Sequence, residues 1–173
     1  MQHLNVNERQ TPWKRGLGFV LFLATLVFLW LNLWAMPAWA NDFDRVNLMY
    51  SDFHGQDLRG SSYTFTNLRN TDLSNTNLSG VSLFGSKFRG ANLEGADLSY
   101  ATLDSAELVK VNLNNANLEG AFANSAQFEG ATIVGADFTD VELRADAQAM
   151  LCEIAEGTNP TTHRETRETL YCD

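Results

Sequence analysis

The chain has 173 residues with 12 basic and 21 acidic side chains, which gives a formal net charge of −9 at pH 7. This excess of negative charge argues against direct binding to nucleic acid or to an anionic membrane surface, because the long-range field repels both. Roughly 130 residues remain when the apolar start of the chain is set aside, and that length fits a single domain.

Residues 1–40 have the composition of an export signal. A basic flank precedes an almost wholly apolar stretch at 17–35, and the small residues Ala38 and Ala40 mark a signal-peptidase site. Cleavage after Ala40 would leave Asn41 as the first residue. The apolar stretch is also close to the roughly 20 residues that span a bilayer, so an uncleaved membrane anchor is the alternative. Either form predicts that the rest of the chain is exported.

Between Asn41 and Ala145 one residue class returns at every fifth position. The central residue of each five is Leu, Ile or Phe in 19 of 21 cases, and the exceptions are Tyr63 and Ala123. The residue two places earlier is Ala, Val, Ser or Thr in 19 of 21 cases. Two buried positions in every five are therefore expected.

A period of five cannot place these residues on one face of a regular helix or strand. The conflict disappears if each five forms one side of a coil and the chain turns a corner before the next five. Near-square corners give about 20 residues per turn, and residues one turn apart then stack at about 4.8 Å. The pattern predicts an all-β solenoid of about five coils over 41–145, with Gly, Asn and Ser at the corners.

Three of the fives carry a recognisable motif: ANLEG at 91–95, ADLSY at 96–100 and ANLEG at 116–120. These segments resemble the A(D/N)LXX consensus of the pentapeptide-repeat family. The resemblance implies a right-handed quadrilateral β-helix. It also provides a functional alternative, since cytoplasmic members of the family bind DNA gyrase as acidic mimics of duplex DNA.

Residues 146–173 follow a different pattern. Four apolar residues have the spacing of one face of an amphipathic helix: Ala147, Met150, Leu151 and Ile154. Gly157 is expected at the C′ position of this helix. The residues from Thr162 to Glu165 have the S/T-x-x-E form of a capping box, which predicts a second helix that runs to about Tyr171. We expect the two helices to form a cap over the open end of the coil.

Cys152 and Cys172 are the only cysteines, one in each proposed helix. An even number of cysteines in an exported chain predicts a disulfide. The competing interpretation is a metal site, for which two thiols without a nearby pair of His are a poor ligand set. The segment 151–160 also looks like the tail of exported pentapeptide-repeat proteins of cyanobacteria and chloroplasts, which implies the thylakoid lumen or the periplasm.

The sequence offers little for catalysis. None of the three His has a partner at the spacing of a metal site or a triad, and no phosphate-binding loop motif occurs. We therefore predict no catalytic, cofactor-binding or metal-binding residues. The alternative is a carboxylate- or calcium-dependent enzyme, because a turn of about 20 residues stacks Asp52 above Asp72 at about 5 Å.

Apolar residues at outward positions are better candidates for a site. Phe65 and Phe84 lie 19 residues apart, so on such a coil they meet near one corner on adjacent turns, which predicts a partner-binding patch. If cleavage leaves Asn41 as the first residue, no segment covers the first turn, and its open edge predicts an end-to-end homodimer unless its charged residues blunt that edge. Ala123 leaves the axis under-filled, so we expect a small cavity there or an inward lean of Phe122. The sequence as a whole predicts a non-catalytic exported module that is structural or binds a protein partner.

Overall fold

The structure is a computed structural model, and it describes residues 42–172. The predicted export segment, with its cleavage site at Ala38 and Ala40, lies outside the described residues. None of the helices formed by residues 42–172 has the length and hydropathy needed to cross a bilayer.

Backbone pairing joins residues that are 20 apart in sequence. Parallel single-residue bridges connect the second residue of each five to its counterpart one turn later, as between Asp97 and Asn117. The next residue, Leu98, donates its N–H to the carbonyl oxygen of Asn117 at 2.7 Å, and Asp97 donates back to Thr76 at 2.9 Å. The 20-residue register expected from the five-residue period is therefore present.

The core is a column of central residues surrounded by small first-position residues. Leu93, Leu98 and Leu103 are fully buried, and Ala101 and Ala106 beside them are equally inaccessible. At about 25 cal/mol per Å² of apolar surface, this repeated burial is the main term that stabilises the coil. At the start of the coil the central residues are only partly buried.

Three threonines replace the consensus alanine early in the coil: Thr66, Thr71 and Thr76. All three are buried, and each hydroxyl has a backbone acceptor. The Thr76 hydroxyl, for example, donates to the carbonyl oxygen of Leu73 at 2.6 Å. Because the buried hydroxyls are paired, these departures from the consensus leave the coil intact.

The chain turns its corners at the fifth residue of each repeat. Asn70 has φ of 54° and Gly90, one turn later, has φ of 71°, which is the left-handed region that Gly and Asn tolerate best. The Asn70 side chain lies over Gly90, where an added Cβ would come within 2.6 Å of the amide oxygen of Asn70. Corner side chains on one turn thus take up the space above a glycine on the next.

The coil has four faces, which we label A to D in chain order. Each consists of the outward second and fourth residues of successive turns. Face A comprises 42–44, 62–64, 82–84, 102–104 and 122–124; face B comprises 47–49, 67–69, 87–89, 107–109 and 127–129; face C comprises 52–54, 72–74, 92–94, 112–114 and 132–134; face D comprises 57–59, 77–79, 97–99, 117–119 and 137–139.

Two short helices follow the coil, α1 at Ala145–Cys152 and α2 at Thr166–Thr169. The prediction that the first helix extends through Ile154 is wrong, because α1 ends earlier and Ile154 is 46% exposed. After α1 the chain pairs with the last turn of the coil, where Gly135 donates its N–H to the carbonyl oxygen of Glu156 at 2.8 Å.

The predicted capping box is also wrong. Helix α2 has four residues, and its N-cap, Glu165, makes no side-chain capping bond. The N–H of Thr162 instead donates to the side-chain oxygen of Asn159 at 3.0 Å. The loop before α2 is therefore organised by an asparagine that local helix signals did not indicate.

The C-terminal segment, residues 146–172, shares the buried core of the coil. Leu151 of α1 and Leu170 are buried in the same cluster as Phe138. The hydroxyl of Thr169 accepts a hydrogen bond from the N–H of Phe138 at 3.0 Å, in the place of the carbonyl that a further turn would supply. The segment thus pairs backbone donors that the last turn would otherwise leave unpaired.

Ala123 provides a test of how well the axis is packed. It is fully buried, while Phe122 points outward and is 42% exposed, so the expectation that Phe122 leans inward is wrong.

We expect Ala123→Leu to stabilise the protein by up to about 1 kcal/mol or to leave its stability unchanged, because the larger side chain fills axial space. Urea unfolding measures this. Ala121→Leu is the matched control, since it places the same bulk at a narrow first position and should cost about 1–3 kcal/mol. A loss above about 1 kcal/mol for Ala123→Leu would show that the axis is already filled.

Candidate protein-binding surface

Faces C and D are regular because their outward Asp and Asn residues stabilise the turns. On face D the second residue of every coil accepts a hydrogen bond from the N–H two residues later, at 2.9–3.2 Å. The acceptors are Asp57, Asn77, Asp97, Asn117 and Asp137. The first four turns of face C use the same bond. These carboxylates have a structural task in the repeat, as Asx turns do elsewhere.

The predicted stacking of Asp52 above Asp72 is present, since the two residues form a bridge. Ser74 donates its hydroxyl to Asp72 at 2.6 Å and lies 2.8 Å from Nδ1 of His54. With the serine proton directed at Asp72, His54 is not placed as a base for a serine nucleophile. Across residues 42–172 no group of three or more His, Cys, Asp and Glu is arranged to hold a metal.

Phe65 and Phe84 meet as the sequence predicts. Their ring centroids are 5.4 Å apart with the planes at 90°, and the side chains remain exposed, Phe65 to 49% and Phe84 to 37%. The guanidinium of Arg45 lies 5.9 Å from the centroid of the Phe65 ring, within the range of a cation–π contact. Two large aromatic rings thus stay accessible at the corner between faces A and B.

Other outward aromatic residues stand singly. Tyr50 is 73% exposed and Tyr100 is 60% exposed, and both are corner residues with positive φ. The Tyr100 ring covers Gly120 one turn later. Exposed single aromatics are ordinary on protein surfaces, so Phe65 and Phe84 remain the stronger candidates for a site.

The predicted disulfide joins Cys152 at the end of α1 to Cys172, with Cα atoms 5.6 Å apart. Arg167 lies between them in sequence and donates from its guanidinium to the carbonyl oxygen of Cys152 at 3.1 Å. The bond and this contact hold the end of the described chain against α1. Both cysteines are used in this way, so neither is left for a metal site.

A polar cluster that the sequence analysis missed attaches the C-terminal segment to face D. Arg164 donates to Asp137 at 3.1 Å, to Glu119 at 3.0 Å and to the hydroxyl of Thr139 at 2.8 Å. The Asp137 side chain is completely buried beneath it. Asn159 is also buried and donates to three backbone carbonyl oxygens at the corner between faces C and D. Local sequence patterns could not predict these roles of Arg164 and Asn159, because their partners in the coil lie 24–45 positions earlier in the chain.

Two outward aspartates on face D have lowered pKa values. The guanidinium of Arg59 donates to Asp57 at 2.6 Å and lowers the pKa of that carboxyl to about 2. Burial raises the pKa of the Asp137 carboxyl, but hydrogen bonds from Thr139 and the charge of Arg164 outweigh it, and the pKa lies below its ordinary value. Such groups bind protons more tightly in the unfolded state, so they stabilise the fold above pH 4 and stop doing so on acidification.

We expect the urea midpoint to change little between pH 7 and pH 5 and to fall between pH 4 and pH 2. The reason is that the pKa of Asp57 is about 2 in the folded state, against an ordinary value of 3.8. Arg59→Gln removes the first cause of that lowering and should make the acid loss shallower. An unchanged pH profile in Arg59→Gln would contradict the assignment.

The 20-residue turns, the apolar axis and the four faces define a quadrilateral β-solenoid. The family model for pentapeptide repeats matches in eight copies within residues 64–99, 76–115 and 106–144. The chain is 44% identical to a pentapeptide repeat protein from the Arabidopsis thaliana thylakoid lumen. The TM-score to the crystal structure of that protein is 0.72, over 73% of this chain and 88% of that one. The chain therefore belongs to the pentapeptide-repeat family, whose members form right-handed quadrilateral β-helices.

Two further comparisons cover less. Over 41 residues, 24% of this chain, the sequence is 56% identical to thylakoid lumenal 15 kDa protein 1 of Arabidopsis thaliana, a chloroplast protein. The chain spans only 18% of the length of that relative. A pentapeptide repeat protein from the cyanobacterium Cyanothece is 28% identical over 61% of each chain, with a TM-score of 0.33.

Proposed function

We propose that this chain is a non-catalytic exported protein of the thylakoid lumen or periplasm that acts as a structural or protein-interaction module. The observation that carries the proposal is the 44% identity to a protein of the Arabidopsis thaliana thylakoid lumen, because it extends over 88% of that chain. The Cys152–Cys172 disulfide supports it, since such bonds persist in oxidising compartments.

The proposal includes the processing and the architecture of the chain. Residues 1–40 direct export and are cleaved after Ala40 or retained as an anchor, the form in which the protein would touch a membrane. Residues 41–145 form about five coils, and 146–173 close the last coil as a cap. The buried contacts of Leu151 and Leu170 with the core of the coil support this role for the C-terminal segment.

The interaction surface in this proposal is the corner patch of Phe65 and Phe84. The rings are in contact yet accessible, which is how an apolar anchor for a partner protein is presented. Stacking of two copies through the first turn is a further part of the proposal. Phe43 and Phe53 support it, since both are only partly buried there.

Fractionation of the native organism with thiol labelling tests the assignment. We expect a processed chain that begins at Asn41, or an anchored full-length chain, outside the cytoplasm, with both cysteines blocked until a reductant is added. An unprocessed cytoplasmic chain with free thiols would reject export and would favour the gyrase alternative. Sedimentation at several concentrations tests the end-to-end dimer separately, and a monomer at all concentrations would reject it.

A further inference from the structure

Positive charge is concentrated on face B, although the chain as a whole is acidic. The coil carries seven basic residues, and four lie on face B or at its corner with face C: Arg69, Lys87, Arg89 and Lys110. Only two carboxylates, Glu107 and Glu129, accompany them. Each of the other three faces, with its adjoining corner, has at least two more carboxylates than cations. Face B is therefore the one cationic side of the described coil.

The cations of face B are less neutralised than Arg59 and Arg144, which lie 2.6 and 2.9 Å from a carboxylate. Arg59 lies 2.6 Å from Asp57 and is committed to it. On face B a single carboxylate, Glu107, is shared at 3.7 Å by Arg69 and at 4.0 Å by Lys87. Within residues 42–172, Arg89 makes no ion pair, and the buried Nε of Arg69 has no hydrogen-bond partner. Face B therefore keeps donor capacity that the fold does not use.

Faces A and B keep the Asx bond only in their first turns, at Asp42 and Asn47. On face B the second positions of the third, fourth and fifth turns are Lys87, Glu107 and Gln127, none of which can form the bond to the N–H two residues later. Faces C and D retain that bond in nearly every turn. The replacement loses a local stabilising contact, and two of the three replacing residues, Lys87 and Glu107, are charged and outward. This indicates that the face serves a contact outside the chain.

The aromatic patch and the cations adjoin each other. Phe65 occupies the corner between faces A and B, and Phe84 lies on face A just before that corner. Lys87 and Arg89 follow three and five residues later on the same turn. The C-terminal segment docks at the opposite corner, between faces C and D, through Asn159. Among the described residues, the corner between A and B is left uncovered.

We propose that this corner binds an acidic polypeptide segment in which an apolar side chain lies beside carboxylates. The inference rests on the proposed function and specifies the partner of the interaction module. Phe65 and Phe84 pack against the apolar side chain, while Lys87 and Arg89 pair with the carboxylates. Aromatic rings beside cations also suit single-stranded nucleic acid. The net charge of −9 repels a long polyanion far more than a short acidic segment, so the polypeptide is favoured.

The test selects 12-residue peptides from a random display library against the full chain, held in a mild detergent. We expect the enriched sequences to combine Asp or Glu with Leu or an aromatic residue. Affinities are then measured by fluorescence anisotropy. Lys87→Gln with Arg89→Gln should weaken binding about fivefold, as expected for two surface ion pairs. Phe84→Ser should weaken it about tenfold, as truncation of an anchor does. Arg59→Gln with Arg144→Gln changes the net charge equally and should leave affinity unchanged.

Three outcomes would overturn the inference. Enriched peptides without an acidic excess would contradict the charge argument. If Arg59→Gln with Arg144→Gln weakens peptide binding as much as Lys87→Gln with Arg89→Gln does, the effect comes from the overall charge of the protein and not from a binding site on face B. Tighter binding of a fluorescent oligothymidylate than of any peptide would assign the corner to nucleic acid. If selected peptides bind at face C or D, the interaction module stands and this site fails. Recovery of an unprocessed chain from the cytoplasm would reject the proposed exported function, whatever the peptide experiment shows.

Discussion

Asn159→Ala should lower the free energy of unfolding by about 3 kcal/mol, because each buried polar group left without a partner costs about 1–3 kcal/mol. The side chain of Asn159 is fully buried and donates to the carbonyl oxygens of Asn115 and Gly135 at 3.2 and 2.9 Å. Its own oxygen accepts from the N–H of Thr161 at 2.9 Å. Alanine leaves all of these groups without partners. Urea unfolding followed by circular dichroism measures the loss.

Asn124→Ala is the matched control for this experiment. Asn124 is exposed, so the same truncation should change stability by less than about 0.5 kcal/mol. Asn159→Asp separates the two halves of the role, since it keeps the acceptor for Thr161 but loses the donors to the corner carbonyls. A cost for Asn159→Ala no greater than that of Asn124→Ala would show that the C-terminal segment does not depend on this residue.

Removal of the disulfide should cost about 3 kcal/mol, the value that loop-closure entropy gives for a loop of this length. The relevant variant is Cys152→Ser with Cys172→Ser, which opens a link between residues 20 apart. The wild-type protein in excess dithiothreitol should unfold at the same urea concentration as the double variant. Chemical unfolding with and without reductant measures both.

The double variant is its own control for the reductant, because dithiothreitol should not change its midpoint. Limited proteolysis adds a local readout: cleavage should appear first after residue 152, where the C-terminal segment loses its covalent link to α1. A double variant as stable as the oxidised wild type would contradict a stabilising role for the bond. Loss of structure throughout the coil at the same midpoint would show that segment and coil unfold together.

The coil was predictable because its determinants are local and repeated. Every five residues restate which side chains face the axis, so single departures such as Tyr63 or Ala123 do not change the register. The packing distance between turns follows from backbone pairing alone. The contact of Phe65 with Phe84 followed from the same register, since a difference of 19 residues brings two outward positions together.

The end of the chain was less predictable because its structure depends on distant partners. The capping box expected at Thr162 does not form, because the N–H of Thr162 is bound by Asn159, whose side chain is fixed by carbonyl oxygens of the coil. Likewise, Arg164 finds its carboxylates on turns that precede it by 27 and 45 residues. The cationic face becomes apparent only when residues 20 apart are compared, because the 20-residue register stacks Arg69 and Arg89 on successive turns. A total charge conceals that pattern.

The quarter-turn geometry restricts how the length of this chain can change. Loss of one five-residue side between Glu119 and Asp137 would rotate every later residue by 90° about the axis, so Arg164 would keep Asp137 but lose Glu119 on the turn before. Loss or duplication of 20 residues would keep all later columns aligned and shift the molecule by a single layer. Viable insertions and deletions in the repeat region should therefore come in whole turns, and natural variants of different length should differ in height while presenting the same sides.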